Sequence, residues 1–536
     1  MVERKTLKLY SEKEKLCSTI NSFTSVFTRN VTALLLFVLL PVFAAALMFC
    51  GPSCAEQIEK YSSEPEVKIG VVQKTTHARL SFKGSFRIYK ASEPVELYRG
   101  DGETIQVELY TVRLKELPAR FRVSVGQYRS FEQAEFTLME MGRVPYESLI
   151  VQPRQWSLWF GPFNNFNAAR FALEYFRGRG YLDSRIEPES TDIPVLTLYA
   201  QDGSLIHLGN DPVVAYPEDE RFRVNNREYR GRAEMRLDLY GTFSVINRVK
   251  VEDYLYSVLP REMPSASHPE SLKAQAVIAR TYLMNNLRRH MADGFSLCNT
   301  TDCQVYGGVN DEVASGNEAV KATRGQVLVY DGRLANALFH STCGGRTAAY
   351  DDVWSGGGHP YLTTVDDGTG FPVARLDTED RVRKYLKHKK AHCSKSKYFR
   401  WEKSYTHSQL LNVFKQTIPE FTNNPELQIE KLHGVKVLGY SDSGRVTAVE
   451  ISTDKGKFVF EKDKIRWVMG NLKSTLFVLD VTGTGDSRKY ALLGAGWGHG
   501  LGLCQIGAMQ MGRDGYKYDR ILSLYYTGTK IFNLWD

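Results

Sequence analysis

The chain has 536 residues, of which 43% are hydrophobic, 24% charged and 12% aromatic. This composition is typical of globular proteins and excludes disordered and fibrous classes, and the length predicts about two to four domains. The net charge of +8 is small for this length, so it allows an anionic partner but predicts no nucleic acid binding. A single apolar segment approaches the thickness of a bilayer, which excludes a polytopic membrane protein.

The N-terminal segment predicts export from the cytoplasm. A basic leader at residues 1–30 precedes an apolar signal or anchor segment at 31–55, in which residues 33–50 carry no charge. This order is typical of a secretory signal peptide or of an N-terminal membrane anchor, and a buried core helix is the remaining alternative. Small residues at 53–55 resemble a cleavage site, so cleavage and anchoring both stay open. Either one places the rest of the chain outside the cytoplasm, secreted to the periplasm or cell envelope or tethered to the membrane.

Residues 67–117 alternate apolar and polar side chains and predict a strand-rich N-terminal region. Residues 118–187 then contain two related copies, FRVSVGQYRSFEQAEFTLMEMG (121–142) and WSLWFGPFNNFNAARFALEYFRGRG (156–180). Each copy predicts a strand, a turn, an amphipathic helix and a glycine stop, and the two should pack as one small α/β sandwich. The repeat resembles a SPOR domain, a family that binds peptidoglycan strands without stem peptides. Alternatively, its aromatic side chains only form a sheet core.

The remaining residues, 194–536, begin with further strands and then change character at a predicted helix, Pro269–Met291. That helix shows one apolar stripe, made of Leu272, Ala276, Ala279, Leu283 and Leu287. A basic stretch at 383–398 predicts a solvated loop or helix, and the wider segment 375–435 matches no pattern that predicts a role.

Four short blocks carry the residue types that catalysis and ligand binding use. In chain order they are VEDYLYSVLPREMP (251–264), CNTTDCQVY (298–306), FHSTCGG (339–345) and GWGHGLGLCQIGA (496–508). Their identity and order resemble the SpoIID/LytB family, the stage II sporulation protein D-like lytic transglycosylases of peptidoglycan. The resemblance implies a multidomain α+β fold class. A strand-rich N-terminal region would hold the inserted βαβα SPOR-like module, and a SpoIID-type catalytic domain would cover residues 194–536.

The same resemblance implies a cell-wall lyase that acts in sporulation or cell division. It would cleave the β-1,4 linkage between MurNAc and GlcNAc in denuded glycan strands and leave a 1,6-anhydroMurNAc product. The chief alternative is a non-catalytic peptidoglycan-binding protein that stimulates a cell-wall amidase, because some members of the family do this. Hydrolysis to reducing-end MurNAc and a purely structural envelope scaffold are further alternatives. The expected partners are therefore glycan strands and, in the chief alternative, an amidase.

Glu262 is the candidate catalytic residue. It follows apolar side chains and is flanked by Pro260 and Pro264, which predicts a stiff loop just before the helix. Apolar surroundings raise the pKa of a carboxyl group, as a general acid near neutral pH requires. The resemblance implies that Glu262 is the family's single catalytic glutamate. From the residues alone, an exposed glutamate or an ion pair with Arg261 is the alternative.

Nine further residues are candidates for contact with the glycan: Arg280, Tyr282, Gln304, Tyr306, His340, Ser341, Thr342, His499 and Gln505. Arg280 is expected to hold Glu262 or a substrate carbonyl, with a surface salt bridge as the alternative. Gln304 can bond N-acetyl groups and Tyr306 can stack on a sugar, but a turn and core role stays open for both. We expect the segment from His340 to Thr342 to line the cleft beside Glu262, with the glycines after it approaching the glycan.

Cys298 and Cys303 form a C-x4-C pair, for which a metal site, a short disulfide and free thiols all stay open. Further ligands would come from His290, Asp302, His340 or Cys343. The resemblance implies metal at this place in some family members, so a structural zinc is the cofactor considered, and none is required for the reaction. Cys504 is expected to be buried and structural.

Overall fold

The structure is a computed structural model that describes residues 58–113, 120–355, 359–372, 374–422, 424 and 426–536. The predicted leader at 1–30 and the predicted signal or anchor at 31–55 lie outside the described residues. Within the described ranges, no helix is both long and apolar enough to cross a membrane.

The described residues contain eleven α-helices and 28 strands, which confirms the predicted mixture of α and β structure. The first region contains the strands β1 (Glu66–Thr75), β2 (His77–Ser81), β3 (Ser85–Lys90), β4 (Glu96–Asp101) and β5 (Thr104–Arg113). An inserted module follows, with β6 (Phe121–Tyr128), α1 (Phe131–Glu140), β7 (Ser148–Val151), β8 (Trp156–Phe163), α2 (Phe166–Gly178) and β9 (Arg185–Pro188). The first region then resumes with β10 (Asp192–Tyr199), β11 (Leu205–Gly209), β12 (Val213–Pro217), β13 (Arg221–Val224), β14 (Arg227–Arg230), β15 (Arg232–Leu237) and β16 (Phe243–Lys250).

The C-terminal region contains the remaining elements. Its helices are α3 (Val251–Glu262), α4 (Pro269–Asn285), α5 (Ala314–Ala322), α6 (Tyr350–Val353), α7 (Glu379–Leu386), α8 (His407–Phe421), α9 (Lys464–Val468), α10 (Gln505–Arg513) and α11 (Tyr518–Tyr525). Its strands are β17 (Leu297–Cys298), β18 (Gln326–Tyr330), β19 (Arg333–Leu334), β20 (Phe339–His340), β21 (Trp401–Thr406), β22 (Leu432–Tyr440), β23 (Val446–Thr453), β24 (Gly456–Glu461), β25 (Phe477–Thr482), β26 (Lys489–Gly494), β27 (Leu503–Cys504) and β28 (Lys530–Asn533). Short 3₁₀ turns lie at Met291–Asp293, Val309–Asp311, His392–Lys395 and Gly485–Ser487.

Two sheets of the first region share one hydrophobic core with α3 and α4. The larger sheet has the strand order β17-β1-β16-β15-β12-β3-β4, and the smaller has the order β11-β10-β5-β2-β13-β14. Strand alternation explains this packing, because every second side chain of a strand points to the same face. In β1, for example, Val67, Ile69 and Val71 are buried. The sheet thus brings β16 and the start of α3 into the protein interior.

The inserted module leaves the smaller sheet after β5 and returns to it at β10, which pairs antiparallel with β5. Its own sheet has the order β7-β8-β6-β9, and both helices pack against it around Val125, Phe160 and Phe176. Side chains cap both helices, because Ser130 and Asn165 accept hydrogen bonds from backbone N–H groups of the first turns. Each predicted copy therefore supplies one strand of this sheet and one helix that packs against it.

Helix α4 lies at the centre of the C-terminal region and is buried around nearly its whole circumference. The prediction of one apolar stripe is wrong in that respect, because α4 also buries Gln275, Arg280 and Thr281. The helix ends at Asn285 and not at Met291. Beyond its end, Arg289 turns toward Glu132 of the module and His290 turns toward Asp293.

Residues 375–435 form α7, β21, α8 and the start of β22, although no sequence pattern predicted a role for them. Strand β21 pairs with β26, which in turn pairs with β25. The basic stretch at 383–398 is only partly the solvated segment that its charge predicted. Cys393 within it is fully buried, because the 3₁₀ turn directs this side chain into the same core as Cys343 and Cys504.

Candidate active site

Glu262 is the last residue of α3. The sequence predicted a loop before the next helix, but Pro260 lies inside α3 and the helix continues to Glu262. The backbone of Met263 is then extended, with φ of −136°, and its side chain is buried. The chain turns through residues 264–268 before α4 begins at Pro269, so Glu262 stands at the corner between two packed helices.

Burial raises the pKa of Glu262 to about 7, and a hydrogen bond from the backbone of Val305 partly opposes that increase. The alternative of an ion pair with Arg261 is wrong, because the Arg261 guanidinium binds the Asp311 carboxylate, with Nε 2.7 Å from Oδ2. Glu262 is therefore a half-buried acid that is protonated in a substantial fraction of molecules at neutral pH.

Two of the other three sequence blocks contact Glu262, and the third contacts one of those two. Val305 of the CNTTDCQVY block faces the carboxylate, as above. The Gln505 side-chain amide donates to the Glu262 carbonyl oxygen at 2.8 Å and lies 3.4 Å from the Gln275 amide oxygen. Ile506 then donates its N–H to the carbonyl oxygen of Ser341, directly after the parallel pair of β20 and β27. Ser341 is thus linked to Glu262 through the Gln505–Ile506 segment, and Ser341 and Gln505 are both half-buried.

The two predicted cleft histidines hold the loops together. Burial lowers the pKa of His340 and of His499 to about 3, so both rings are neutral. His340 Nδ1 lies 3.0 Å from the Leu501 carbonyl oxygen. His499 accepts from the Leu501 N–H and contacts the Phe339 carbonyl oxygen, each at 3.0 Å. His340 is buried, so the direct glycan contact predicted for it is wrong and its ring packs between the loops. His499 is half-buried, and its contact with the glycan stays a prediction.

Thr342 is also buried, and its backbone pairs with that of Trp497. Gly344 and Gly496 allow this approach, since both have positive φ and a Cβ at either would lie within 2.9 Å of the other loop's atoms. The close backbone approach predicted for these glycines is thus to the neighbouring loop. Trp497 itself is 40% exposed and was not among the sequence candidates.

Arg280 does not contact Glu262 and is not on the surface, so both expectations for it are wrong. It is fully buried in α4, where its Nη2 lies 2.6 Å and its Nε 3.0 Å from the carboxylate oxygens of Glu252. Glu252 also accepts the N–H of Gly325. The pair joins α3 to α4 inside the protein, and such pairs are strongly destabilising when one partner is removed.

Gln304 and Tyr306 are buried, which corresponds to the turn and core alternative. The Tyr306 hydroxyl donates to the Asn247 side-chain oxygen at 2.7 Å, and Gln304 accepts from the Tyr254 hydroxyl at 3.2 Å. Neither side chain offers a free face to a sugar. Tyr282 is half-buried against the main core, and burial raises the pKa of its hydroxyl.

Among the described residues, two groups of side chains could each hold a metal ion. The first donor cluster is His290, Cys298, Asp302 and Cys303, and the second donor cluster is Cys343, Asp367, Cys393 and Cys504. The five described cysteines are free thiols. His340 belongs to neither cluster, and Cys343 belongs to the second, so the prediction of either as a ligand beside Cys298 is wrong.

The first donor cluster fits the structural zinc that the family resemblance implies. One donor atom of each residue lies within 4.8 Å of the others. His290 Nδ1 is 3.0 Å from Asp293, which orients the ring so that its buried Nε2, without a hydrogen-bond partner in the described structure, faces the thiols. Hydrogen bonding with Cys303 lowers the pKa of Cys298, whereas burial and the same hydrogen bond raise the pKa of Cys303, so the pair favours one thiolate at Cys298. The Trp156 indole of the inserted module donates to Asp302 at 3.1 Å.

Asp293, Asp367, Cys393 and Trp497 are site residues that sequence reasoning missed. The acidic residues lie far from the blocks or carry no motif, and Cys393 stands in a basic stretch that predicted exposure. Residues of separate loops that form one site are brought together by tertiary packing. Their spacing along the sequence therefore shows no pattern that would identify them.

Two family descriptions match the chain. Residues 240–330 match "Stage II sporulation protein", and residues 348–502 match a "Domain of unknown function (DUF8618)". The first range covers Glu262, the ion pair and the first donor cluster. The second covers most of the segment between the FHSTCGG and GWGHG blocks.

Curated relatives agree with the first match. An amidase enhancer of Bacillus subtilis is 30% identical over 52% of this chain, and the match spans 40% of that relative's length. The stage II sporulation protein D of the same organism is 27% identical over 53% of this chain and 75% of its own length. An uncharacterized protein of Brachyspira hyodysenteriae is 28% identical over 59% of this chain and 76% of its own. Residues 240–330 of the chain therefore resemble the SpoIID family, and the matches to its members extend over about half of the chain.

Proposed function

We propose that the protein is a peptidoglycan lytic transglycosylase in which Glu262 acts as the general acid and then the general base. The observation that carries the proposal is the position of Glu262, half-buried with a pKa raised to about 7 and held by contacts from two other blocks. A carboxyl group in that state can give up a proton and take one back near neutral pH.

The reaction begins with the protonated Glu262. Its proton goes to the glycosidic oxygen between MurNAc C1 and GlcNAc C4 as the C1–O bond breaks. The C6 hydroxyl of the same MurNAc then attacks C1, and the Glu262 carboxylate takes the hydroxyl proton. The products are a 1,6-anhydroMurNAc end and a GlcNAc end with a free C4 hydroxyl. Glu262 is protonated again, and no water is consumed.

The neighbouring acids support a mechanism with one carboxyl group. Hydrolytic glycosidases use two carboxyl groups about 5–9.5 Å apart. Here Asp311 is paired with Arg261, the residue before Glu262, and Glu312 is paired with Arg230. A carboxylate in such a pair is stabilised in its charged form and is poorly available as a second catalyst.

Trp497 is our proposed contact for a pyranose ring. Its side chain is exposed, its backbone joins the loop of Ser341 and Thr342, and Tyr398 packs on it with ring centroids 4.6 Å apart. The distance from the Lys473 ammonium to the centroid of each of these two rings is similar to the distance between the centroids. An exposed aromatic ring beside a cation suits a sugar that carries a lactyl carboxylate, such as a MurNAc without its stem peptide.

The decisive variant is Glu262→Gln, assayed on purified denuded glycan strands. We expect a loss of at least about 100-fold in the rate of anhydro-product formation, since a general acid typically contributes this much. Asp253→Asn is a matched control on the same helix, nine residues and thus about 14 Å along the axis from Glu262. Burial also raises the pKa of Asp253. This variant therefore shows what the loss of a buried acid does to activity when that acid lies outside the site. Undiminished anhydro-product from E262Q would remove Glu262 from the mechanism.

The inserted module is proposed as a second, SPOR-like contact with denuded glycan. Support comes from its two strand-helix units and from Phe166 and Phe171 on α2, which are 52% and 63% exposed. Removing the whole module would also remove the hydrogen bond from Trp156 to Asp302 of the first donor cluster, so point variants are the better test. F166A/F171A should weaken retention on glycan sacs and leave turnover of short soluble glycans unchanged. Equal loss of both would contradict a separate binding role.

Stimulation of a cell-wall amidase is the second candidate function, and the name of the 30% identical amidase enhancer favours it. A single variant, E262Q, can distinguish glycan cleavage from stimulation of an amidase. E262Q that has lost glycan cleavage but still raises the rate of a purified cell-wall amidase would support stimulation without catalysis. Both functions require the cell envelope, which agrees with the predicted export.

A further inference from the structure

The second donor cluster lies inside the fold and has no role in the reaction proposed above. Cys343, Asp367, Cys393 and Cys504 are each no more than 1% exposed. One donor atom of each lies within 4.8 Å of all the others. The four residues come from separate segments: the loop after β20, the loop before α7, a 3₁₀ turn and the end of β27. Their convergence therefore arises from tertiary packing and brings three thiols and one carboxyl group to one point.

The sulfur geometry suits a tetrahedral ion. The Sγ atoms of Cys343 and Cys393 are 3.6 Å apart. A disulfide would require about 2.05 Å. Two sulfurs bound to one tetrahedral zinc at about 2.3 Å each are separated by about 3.8 Å, which is close to the spacing observed.

Backbone donors surround the thiols in a way that stabilises thiolates. The N–H groups of Cys343 and Gly507 point at the sulfur of Cys504, at 3.3 and 3.4 Å, and the N–H of Gly345 points at the sulfur of Cys343, at 3.3 Å. Such amide contacts spread the negative charge of metal-bound sulfur. The φ of +102° at Gly345 allows the turn that directs its N–H this way.

Asp367 completes the donor set. Its two carboxylate oxygens accept from the Tyr525 hydroxyl and from the Cys393 N–H. Asp367 is fully buried, and a cation beside its carboxylate would offset the cost of its charge. These hydrogen bonds fix the carboxylate in the orientation that faces the thiols.

We propose that Cys343, Asp367, Cys393 and Cys504 bind a structural zinc ion that ties the catalytic loops together. Three thiolates and a carboxylate in a tetrahedral arrangement select zinc among common divalent ions. Cys504 directly precedes Gln505, whose amide holds the Glu262 carbonyl oxygen. Cys343 follows Ser341 by two residues. The ion would therefore fix the two loops that approach Glu262 and join them to the segment that holds Cys393.

The rival arrangement is a disulfide between Cys343 and Cys393, which an oxidising compartment favours. A disulfide would leave the Cys504 thiol and the Asp367 carboxyl group buried beside it without a partner of opposite charge. The zinc site uses all four donors, and bound zinc keeps thiolates from oxidation.

The test is elemental analysis of the purified full-length protein and of variants in each cluster. The wild type should carry about two zinc ions per chain, one in each cluster. C298S/C303S should lose about one ion, and C393S/C504S should also lose about one. In C298S/C303S, X-ray absorption at the zinc edge should then show about three sulfurs at ~2.3 Å and one oxygen at ~2.0 Å.

Two results would overturn the proposal. One is a zinc content in C298S/C303S close to zero, since the second donor cluster is intact in that protein. The other is a peptide linked through Cys343 and Cys393 in a non-reducing digest of wild-type protein prepared with thiols blocked at lysis. Both measurements use folded protein with an intact second cluster, so neither depends on whether C393S/C504S folds. Neither measures glycan cleavage, so they stand or fall independently of the proposed reaction.

Discussion

Replacing Glu262 with glutamine should change the pH dependence of stability as well as activity. Burial raises the pKa of Glu262 from its ordinary 4.5 to about 7 in the folded protein. A carboxyl group with a raised pKa binds its proton more tightly in the folded state, so stability falls as pH rises from the unfolded to the folded pKa. The difference corresponds to about 3 kcal/mol between pH 4 and pH 8.

Glutamine has nearly the same shape and no charge at any pH. The free energy of unfolding of E262Q, minus that of the wild type, should therefore be near zero at pH 4. It should rise to as much as about 3 kcal/mol in favour of E262Q at pH 8. All other titrating groups are common to both proteins and cancel in this difference. Urea denaturation followed by tryptophan fluorescence at pH 4, 5, 6, 7 and 8 measures it, and an exposed substitution such as E93Q serves as the control.

A difference between E262Q and wild type that stays flat across this pH range would refute the reasoning, because Glu262 would then titrate alike in the folded and unfolded states. The same pKa predicts that glycan cleavage falls about tenfold per pH unit above pH 7, since the general acid must start protonated.

Three further substitutions test other parts of the structure. R280M should destabilise the protein by about 3–5 kcal/mol in urea denaturation, because Glu252 stays buried without its partner, and R280M/E252L should recover much of that loss. Q505L removes the hydrogen bond to the Glu262 carbonyl oxygen and should lower kcat about tenfold with little change in KM; an unchanged kcat would exclude a positioning role. W156F removes an indole contact with the first donor cluster and should weaken zinc binding about 10–100-fold in a chelator competition, whereas equal affinity would show that the module does not support that site.

The elements with strong local patterns were predictable from the sequence. The repeat at 121–180 predicted a strand and a helix in each copy, and the structure has β6 with α1 and β8 with α2. The polar residues inside α4 were harder, because Arg280 is typical of a surface and its partner Glu252 lies on another helix. Pairing across helices depends on how they pack, which no spacing within one segment reveals.

Glu262 was predictable from its block, while its surroundings were predictable only in part. Its apolar neighbours indicated a raised pKa, but the bond from Gln505 depends on a loop more than 200 residues later in the chain. The histidines His340 and His499 suggested a cleft because of their chemistry. In the structure, Nδ1 of His340 and both ring nitrogens of His499 contact backbone groups, which a sequence cannot distinguish from ligand contacts.

The central claim is that one carboxyl group cleaves the glycan without water, and the mass of the product tests it most directly. Wild-type protein incubated with peptide-free glycan strands should release fragments ending in 1,6-anhydroMurNAc, lighter by one water, about 18 Da, than the hydrolysis products. In ¹⁸O-labelled water these fragments should contain no label. Fragments that end in reducing MurNAc and carry ¹⁸O would contradict the account, as would the absence of any cleavage.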